Sequence, residues 1–349
     1  MNILSKDMIH YICQYMHKLD VCNWSETCKY VNAKLRLYID KNYYYHYYGI
    51  IPVTKYNMND KVLIIQGNPI HNILKKQKII ISNIQNIQTL YSPHIRFACD
   101  FNQSIGHLQL PNLTHLTFGS NFKQPIENLH FPNLTHLTFG YLFNKPIENL
   151  QVPNLTHLTF GICFNQPIEN LQAPNLTHLT FKYHFNKPME NLQAPNLTHL
   201  TFGNNFNKPI ENLQAPNLTH LTFGYHFNKP IENLQAPNLT HLTFGRFFDQ
   251  PIENLQAPNL THLTFGSCFD QPIENLQAPN LTHLIFGYHF NKPIENLQVP
   301  DLTHLTFGYR FDLDINTFLK KLTKLNRLNL PDNYKYPVYE ENIPMSLKK

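Results

Sequence analysis

One string of residues returns along the chain at a strict interval. From Pro132 it reads PNLTHLTFGYLFNKPIENLQV, and Pro153 begins it again. The same proline recurs at Pro111, Pro174, Pro195, Pro216, Pro237, Pro258, Pro279 and Pro300, a period of 21 residues. A unit this short cannot bury its own apolar face and must lean on its neighbours. The period therefore predicts a solenoid, and the rest of the chain is read as what the solenoid carries.

Counted from its first leucine, the unit is LTHLTFGxxFN[QK]PIENLQAPN. Six columns are apolar; in one copy they are Leu134, Leu137, Phe139, Phe143, Ile147 and Leu150. The Leu-Thr-Phe step alternates as a strand with one buried face does. Stacked copies predict a parallel sheet, one strand per unit, with right-handed crossovers. Pro146 and Pro153 have no N–H for a ladder, so the return path between strands is expected to hold no more than one helical turn, of 3₁₀ type. Twelve units are countable, from a degraded one at His94–Ile95–Arg96–Phe97 to a last one carrying Leu325, Leu328 and Leu330 after a two-residue insertion. Lys320, Lys321, Lys324, Arg327 and Lys335 make that last unit polar, as a terminal cap should be.

Composition adds bounds. The chain has 349 residues, 42% of them hydrophobic and only 15% charged, which describes a foldable chain and not a disordered one. A net charge of +5 without basic blocks gives little pull towards an anionic partner. The six cysteines fall at irregular spacing, with neither a disulfide framework nor CxxC knuckles. The N-terminal stretch lacks the pattern of a signal peptide, and no segment approaches the roughly 20 apolar residues of a membrane span. A cytoplasmic location, not a secreted one, is expected. The nine Asn-Leu-Thr triplets are formal glycosylation acceptors. Glycans about 5 Å apart could not pack side by side, so a structural role is expected for these asparagines.

Residues 5–17 place Met8, Ile9, Ile12, Cys13 and Met16 on one stripe of an amphipathic helix, and two shorter helices are expected by residue 37. Leu4–Ser5–Lys6–Asp7–Met8–Ile9, then Ile12, Met16, Leu19–Asp20–Val21 and Cys28–Lys29, resembles an F-box. Ser5 stands where that family usually has proline, and Tyr30 is nearest to an expected tryptophan. The plainer reading is a helical cap over the first repeat's apolar end. The repeated block, with L-x-x-L-x-F followed by FN-[QK]-PI-EN-L, resembles the leucine-rich-repeat-like FNIP repeats of amoebae and their large viruses, where the module often follows an F-box. That resemblance implies a mixed α/β fold: a small N-terminal helical F-box-like module, then a right-handed leucine-rich-repeat-like solenoid. The expected organisation is residues 1–45 for the module, 46–90 for a connecting region with eroded repeats, 91–338 for the solenoid and 339–349 for a tail. Within 46–90, Val62–Leu63–Ile64–Ile65 and Ile79–Ile80–Ile81 read as short buried strands without a clear place.

Ten histidines form a column from His115 to His304, expected to stack about 5 Å apart on the strand face. Metal binding needs three or four converging ligands, which a single line of rings does not supply, so a ladder of neutral imidazoles with depressed pKa values is expected. No metal or other cofactor is called for. A glutamate column repeats nine times, with lysine three residues before it in five units, and reads as a solvated face. No Ser/His/Asp constellation or phosphate loop stands out, so no enzyme is expected.

The informative positions are the two after the glycine, which vary while every structural column stays constant. They include Tyr141, Tyr183, His184, Tyr225, His226, Arg246, Phe247, Tyr288, His289, Tyr309 and Arg310. Aromatic residues and arginine are enriched at interfaces, so a target-binding rim beside the concave face is expected; drift at free surface sites is the alternative. The F-box resemblance implies docking on the Skp-type linker of a cullin–RING ubiquitin ligase through Leu4, Met8, Ile9, Ile12 and Leu19, with the solenoid holding a target protein. A plain interaction scaffold is the second reading. A nucleic-acid-binding repeat protein is a third, disfavoured by the glutamates and the scarcity of arginine.

Overall fold

The computed structural model describes residues 56–57, 62–66, 78–84, 88–126, 129–189, 192, 194–210, 213, 215–231 and 234–348. The expected helical module, with Leu4, Met8, Ile9, Ile12 and Leu19, lies outside the described residues. The described residues are β and turn almost throughout, so the α component of the expected mixed class has no counterpart among them beyond one short helix. The chain divides into two compact units, Met1–Phe122 and Lys123–Lys349.

In the first unit, β1 (Tyr56–Asn57) pairs antiparallel with β2 (Val62–Gln66). Then β2, β3 (Lys78–Asn83), β4 (His94–Phe97) and β5 (His115–Thr117) pair in parallel. Leu63, Ile79, Ile95 and Leu116 fall on one register line. The apolar runs upstream of residue 91 therefore occupy steps of the same ladder as the first degraded repeat.

In the second unit the strands are β6 (His136–Thr138), β7 (His157–Thr159), β8 (His178–Thr180), β9 (His199–Thr201), β10 (His220–Thr222), β11 (His241–Thr243), β12 (His262–Thr264), β13 (His283–Ile285), β14 (His304–Thr306) and β15 (Arg327–Asn329). All pair in parallel and in register, histidine opposite histidine and leucine opposite leucine, until Arg327 takes the place opposite His304. The phenylalanine after each strand keeps the alternation, entering the core two residues after the leucine while its N–H still reaches the next unit, as Phe160 N–H does at the Thr180 carbonyl at 2.9 Å. The unit starting at Leu218 buries Leu218, Leu221, Phe223, Phe227, Ile231 and Leu234, the six expected columns. A seventh column, Ala236 in that unit, is equally buried and lies outside the six expected. Its small side chain suits the turn in which Leu239 N–H bonds the Ala236 carbonyl at 3.1 Å.

The return path contains no 3₁₀ helix among the described residues; isolated turns replace the expected helical turn, as in Leu234 N–H to the Ile231 carbonyl at 3.0 Å. Two prolines per unit remove the donors that a longer run would need. Side chains replace them. Asn154, Asn175, Asn196, Asn217, Asn238, Asn259 and Asn280 each donate Nδ2–H to the proline carbonyl of the preceding unit at 2.7–3.1 Å. The sequon asparagines are ladder rungs. A second row runs past the inner phenylalanine, where Asn165 Oδ1 accepts from Asn186 N–H at 2.9 Å and Asn186 Oδ1 accepts from Asn207 N–H at 2.9 Å. The two-residue insertion before β15 forms the short helix α1 (Asn316–Leu319). Buried Asn316 closes the end by donating to the Pro337 carbonyl at 2.9 Å and accepting from Tyr339 N–H at 3.0 Å.

Ring spacings show how the second unit bends. Adjacent histidines on β7 to β11 stand 4.2 Å apart, the first phenylalanines of the units starting at Leu197 to Leu281 5.6 Å, and the second phenylalanines about 6.0 Å. Copies related by one repeat operation crowd on the inside of a curve and spread on its outside. The strand face of this unit is therefore concave.

The glycine column is set by space, since none of Gly203, Gly224 or Gly245 occupies the left-handed region. A Cβ on Gly224 would lie 2.0 Å from the Gly203 carbonyl oxygen, and one on Gly245 1.8 Å from that of Gly224. Lys182 breaks the column. The turn after it opens to a bend, and the phenylalanine steps on its two sides become unequal, 5.2 and 6.0 Å. Gly245→Ala is expected to cost about 2 kcal/mol in urea unfolding, the usual scale of overpacking. Lys182→Gly is expected to raise the thermal midpoint by about 2–4 °C, the shift that about 1 kcal/mol produces in a domain of this size.

Candidate functional site: the strand face and its variable rim

The concave face of the second unit carries a histidine column and, two residues on, a threonine column interrupted by exposed Ile285. From β6 to β14 adjacent imidazoles stack with centroids 4.1–4.2 Å apart and planes within 12°. The expected spacing was about 5 Å; the curvature brings the rings closer.

Each ring is held by the threonine before it. Thr156 Oγ1 lies 2.9 Å from His157 Nδ1 and 3.0 Å from the Thr135 carbonyl oxygen. The same pair of contacts recurs at Thr177, Thr198, Thr219, Thr240, Thr261, Thr282 and Thr303. A hydroxyl has one proton. Giving it to the carbonyl leaves Oγ1 to accept from Nδ1–H, so the neutral imidazoles take the Nδ1–H tautomer and keep Nε2 unprotonated. The stacked rings aim these lone pairs side by side, not at a common point. Among the described residues no group of three or more His, Cys, Asp or Glu side chains is placed to hold a metal ion.

Burial, followed by the charge of neighbouring rings, lowers the pKa of His157, His178, His220 and His283 below the ordinary 6.5. His262 is pushed down to about 4 by the same causes in the same order. Of the glutamates, Glu148, Glu169, Glu253, Glu274 and Glu295 lie at turns of the return path, away from the strand face; Glu127, Glu190, Glu211 and Glu232 lie outside the described residues.

The variable pair follows the strand in a tight turn, except at Tyr183–His184, where the turn is open. Tyr141, Tyr183, Tyr225, Phe247, Tyr288 and Tyr309 are exposed large side chains, with Tyr309 at 54% the most open of them. The structure groups them. Arg246 donates Nη1–H to the Tyr225 hydroxyl at 2.7 Å, and its guanidinium lies 5.5 Å from the Tyr225 ring centre and 5.7 Å from that of Phe247. His226 leans on Phe247 at 5.3 Å. Further along, Tyr288 and Tyr309 stack at 5.2 Å with Arg310 over Tyr288 at 5.9 Å, and His289 lies 5.1 Å from Tyr288. Tyr183 meets His184 edge-on at 4.9 Å, while Tyr141 has no ring neighbour among the described residues. What sequence reasoning missed is Ile285, which puts an apolar side chain on the concave face; its departure from an otherwise constant threonine column was the signal available.

The FNIP Repeat family profile matches residues 101–142, 131–163, 215–245, 227–268 and 269–310. No functionally curated protein matches the chain. Among solved structures the chain resembles CroV588, described as a circular LRR protein, at 42% identity with a TM-score of 0.72, over 80% of this chain and 43% of that one. The chain thus spans less than half the length of that relative. A chain of the Drosophila Toll–Spätzle complex matches at 13% identity and a TM-score of 0.51, over 86% of this chain and 49% of that one, a likeness of fold alone. Among the described residues no helix is long and apolar enough to cross a membrane.

The lowered histidine pKa values set a sign for acid. Between pH 6.5 and about 4 the unfolded chain binds more protons than the folded one. Stability present above pH 6.5 is therefore lost as pH falls through the folded values. Thermal midpoints are expected to drop progressively between pH 7 and 4.5, and less so in a His220→Gln/His262→Gln variant; a midpoint constant over that range would refute the account. On register and likeness to CroV588 the repeats form a parallel β-solenoid of leucine-rich-repeat type, and the segments 101–163 and 215–310 carry FNIP repeats.

Proposed function

We propose that the chain is a non-catalytic interaction scaffold that captures a partner protein on the variable rim of its second unit. The single observation carrying this reading is the clustering of exposed aromatic and arginine side chains at the two positions per unit that the repeat does not keep constant. Elsewhere in the units from Leu134 to Leu302, among the described residues, Ile285 is the one other exposed large apolar side chain. Rigid aromatic anchors beside guanidinium groups supply contact area at low entropic cost, which is the usual composition of binding hot spots.

The finer proposal is an adaptor. Residues 1–45 would dock through Leu4, Met8, Ile9, Ile12 and Leu19 on a Skp-type linker subunit, bringing a cullin–RING ligase to whatever the rim holds. Its support is the F-box-like residue pattern, and the chemistry would belong to the ligase.

One affinity-capture experiment with the full chain separates the parts. Tyr225→Ala/Tyr288→Ala is expected to lose the captured protein and keep any linker subunit. Ile9→Asp/Ile12→Asp is expected to do the reverse. A linker and cullin absent from every capture would leave the scaffold without an adaptor role, and target capture indifferent to both tyrosines would remove the rim.

A further inference from the structure

Charge on the rim is sparse and evenly placed. Across the nine units of the second compact unit that begin at Leu134 and end at Leu302, the glycine position and the two after it hold three cations, Lys182, Arg246 and Arg310, and no carboxylate. The intervals are equal: 64 residues separate Lys182 from Arg246 (246 − 182) and Arg246 from Arg310 (310 − 246). Each interval is three units plus one residue. With adjacent rim rings 5.2 Å apart at Tyr288 and Tyr309, three steps amount to roughly 15 Å.

All three cations are exposed, and none makes an ion pair among the described residues. Elsewhere lysines near the return path do find carboxylates, as Lys292 does with Asp270 at 3.2 Å. The two guanidinium groups are instead laid against aromatic faces, which orients them while leaving N–H donors open. Lys182 occupies a position that glycine fills in the neighbouring units, and it does so at a visible irregularity: the turn after it opens to a bend and the phenylalanine steps on its two sides differ, 5.2 against 6.0 Å. Local rules broken without a packing gain tend to mark function.

We propose that the rim binds an extended acidic peptide segment of the partner protein, with carboxylates recurring about every 15 Å along it, one for each of Lys182, Arg246 and Arg310. An extended chain advances about 3.3–3.4 Å per residue, so acidic residues four to five apart meet successive cations. The apolar or aromatic residues between them pack on Tyr225, Phe247, Tyr288 and Tyr309. This rests on the scaffold reading above and adds the chemistry of what is bound.

The probe is a fluorescein-labelled 15-residue peptide with Glu at positions 3, 7 and 12 among Leu, Tyr, Ser and Gly, titrated into the full-length protein and followed by anisotropy. It is expected to bind about tenfold more tightly than the same composition with its three Glu adjacent, and to weaken several-fold with added salt. Lys182→Gln, Arg246→Gln and Arg310→Gln are each expected to weaken it about fivefold or more, with thermal midpoints no lower than that of the parent. Equal binding of the spaced and clustered peptides, indifference to all three substitutions, or tighter binding of a single-stranded oligonucleotide of equal length would each overturn the inference. Target capture that survives the triple Gln variant but not Tyr225→Ala/Tyr288→Ala would also overturn it, while leaving the scaffold reading in place.

Discussion

One carbonyl per turn carries the ladder. The Thr135 oxygen accepts Thr156 N–H at 2.9 Å, His157 N–H at 2.9 Å and the Thr156 hydroxyl at 3.0 Å. The arrangement repeats through the second unit to Thr282 and Thr303. Three donors converging on one acceptor fix the step between copies, because a slip of one residue would strand a backbone donor and a hydroxyl together. The consequences run in two directions. Inward, the fixed step lets phenylalanines stack in register. Outward, it sets the imidazole tautomer, so the chemistry of the concave face follows from a backbone acceptor.

Much of this was legible in the residues. The period announced stacking, the Leu-Thr-Phe alternation announced the strand, and the six apolar columns are six of the seven that the structure buries. Other features depend on a neighbour one unit away and leave no mark within a unit. The alanine of the seventh column lies outside the six until the turn beneath it is seen. The histidine tautomer depends on what the threonine hydroxyl does with its proton. The glycine column serves clearance from the preceding unit's carbonyl, which no single unit displays. Residues 62–83 were read as short strands without a clear place, yet β2 and β3 pair in parallel as the repeat strands do.

The rim was legible in a different way, through variation against a constant background. Its grouping was not. That Arg246 leans on Tyr225 in the preceding unit, and Arg310 on Tyr288, is a cross-strand relation between residues 21 and 22 apart in sequence. Constancy and variation thus divide the unit between them: the columns that repeat hold the step, and the two positions that change decide what the surface meets.

The exact 21-residue step has a consequence for how such a chain changes. Removing or copying one whole unit rejoins Pro to Asn-Leu-Thr with every register line intact, so the fold accepts the edit at almost any junction. The same edit moves everything beyond it along the rim by a single strand spacing. Recombination between near-identical copies can therefore lengthen or shorten the distance between one arginine and the next as a ruler is cut, in whole divisions, without composing a new core each time.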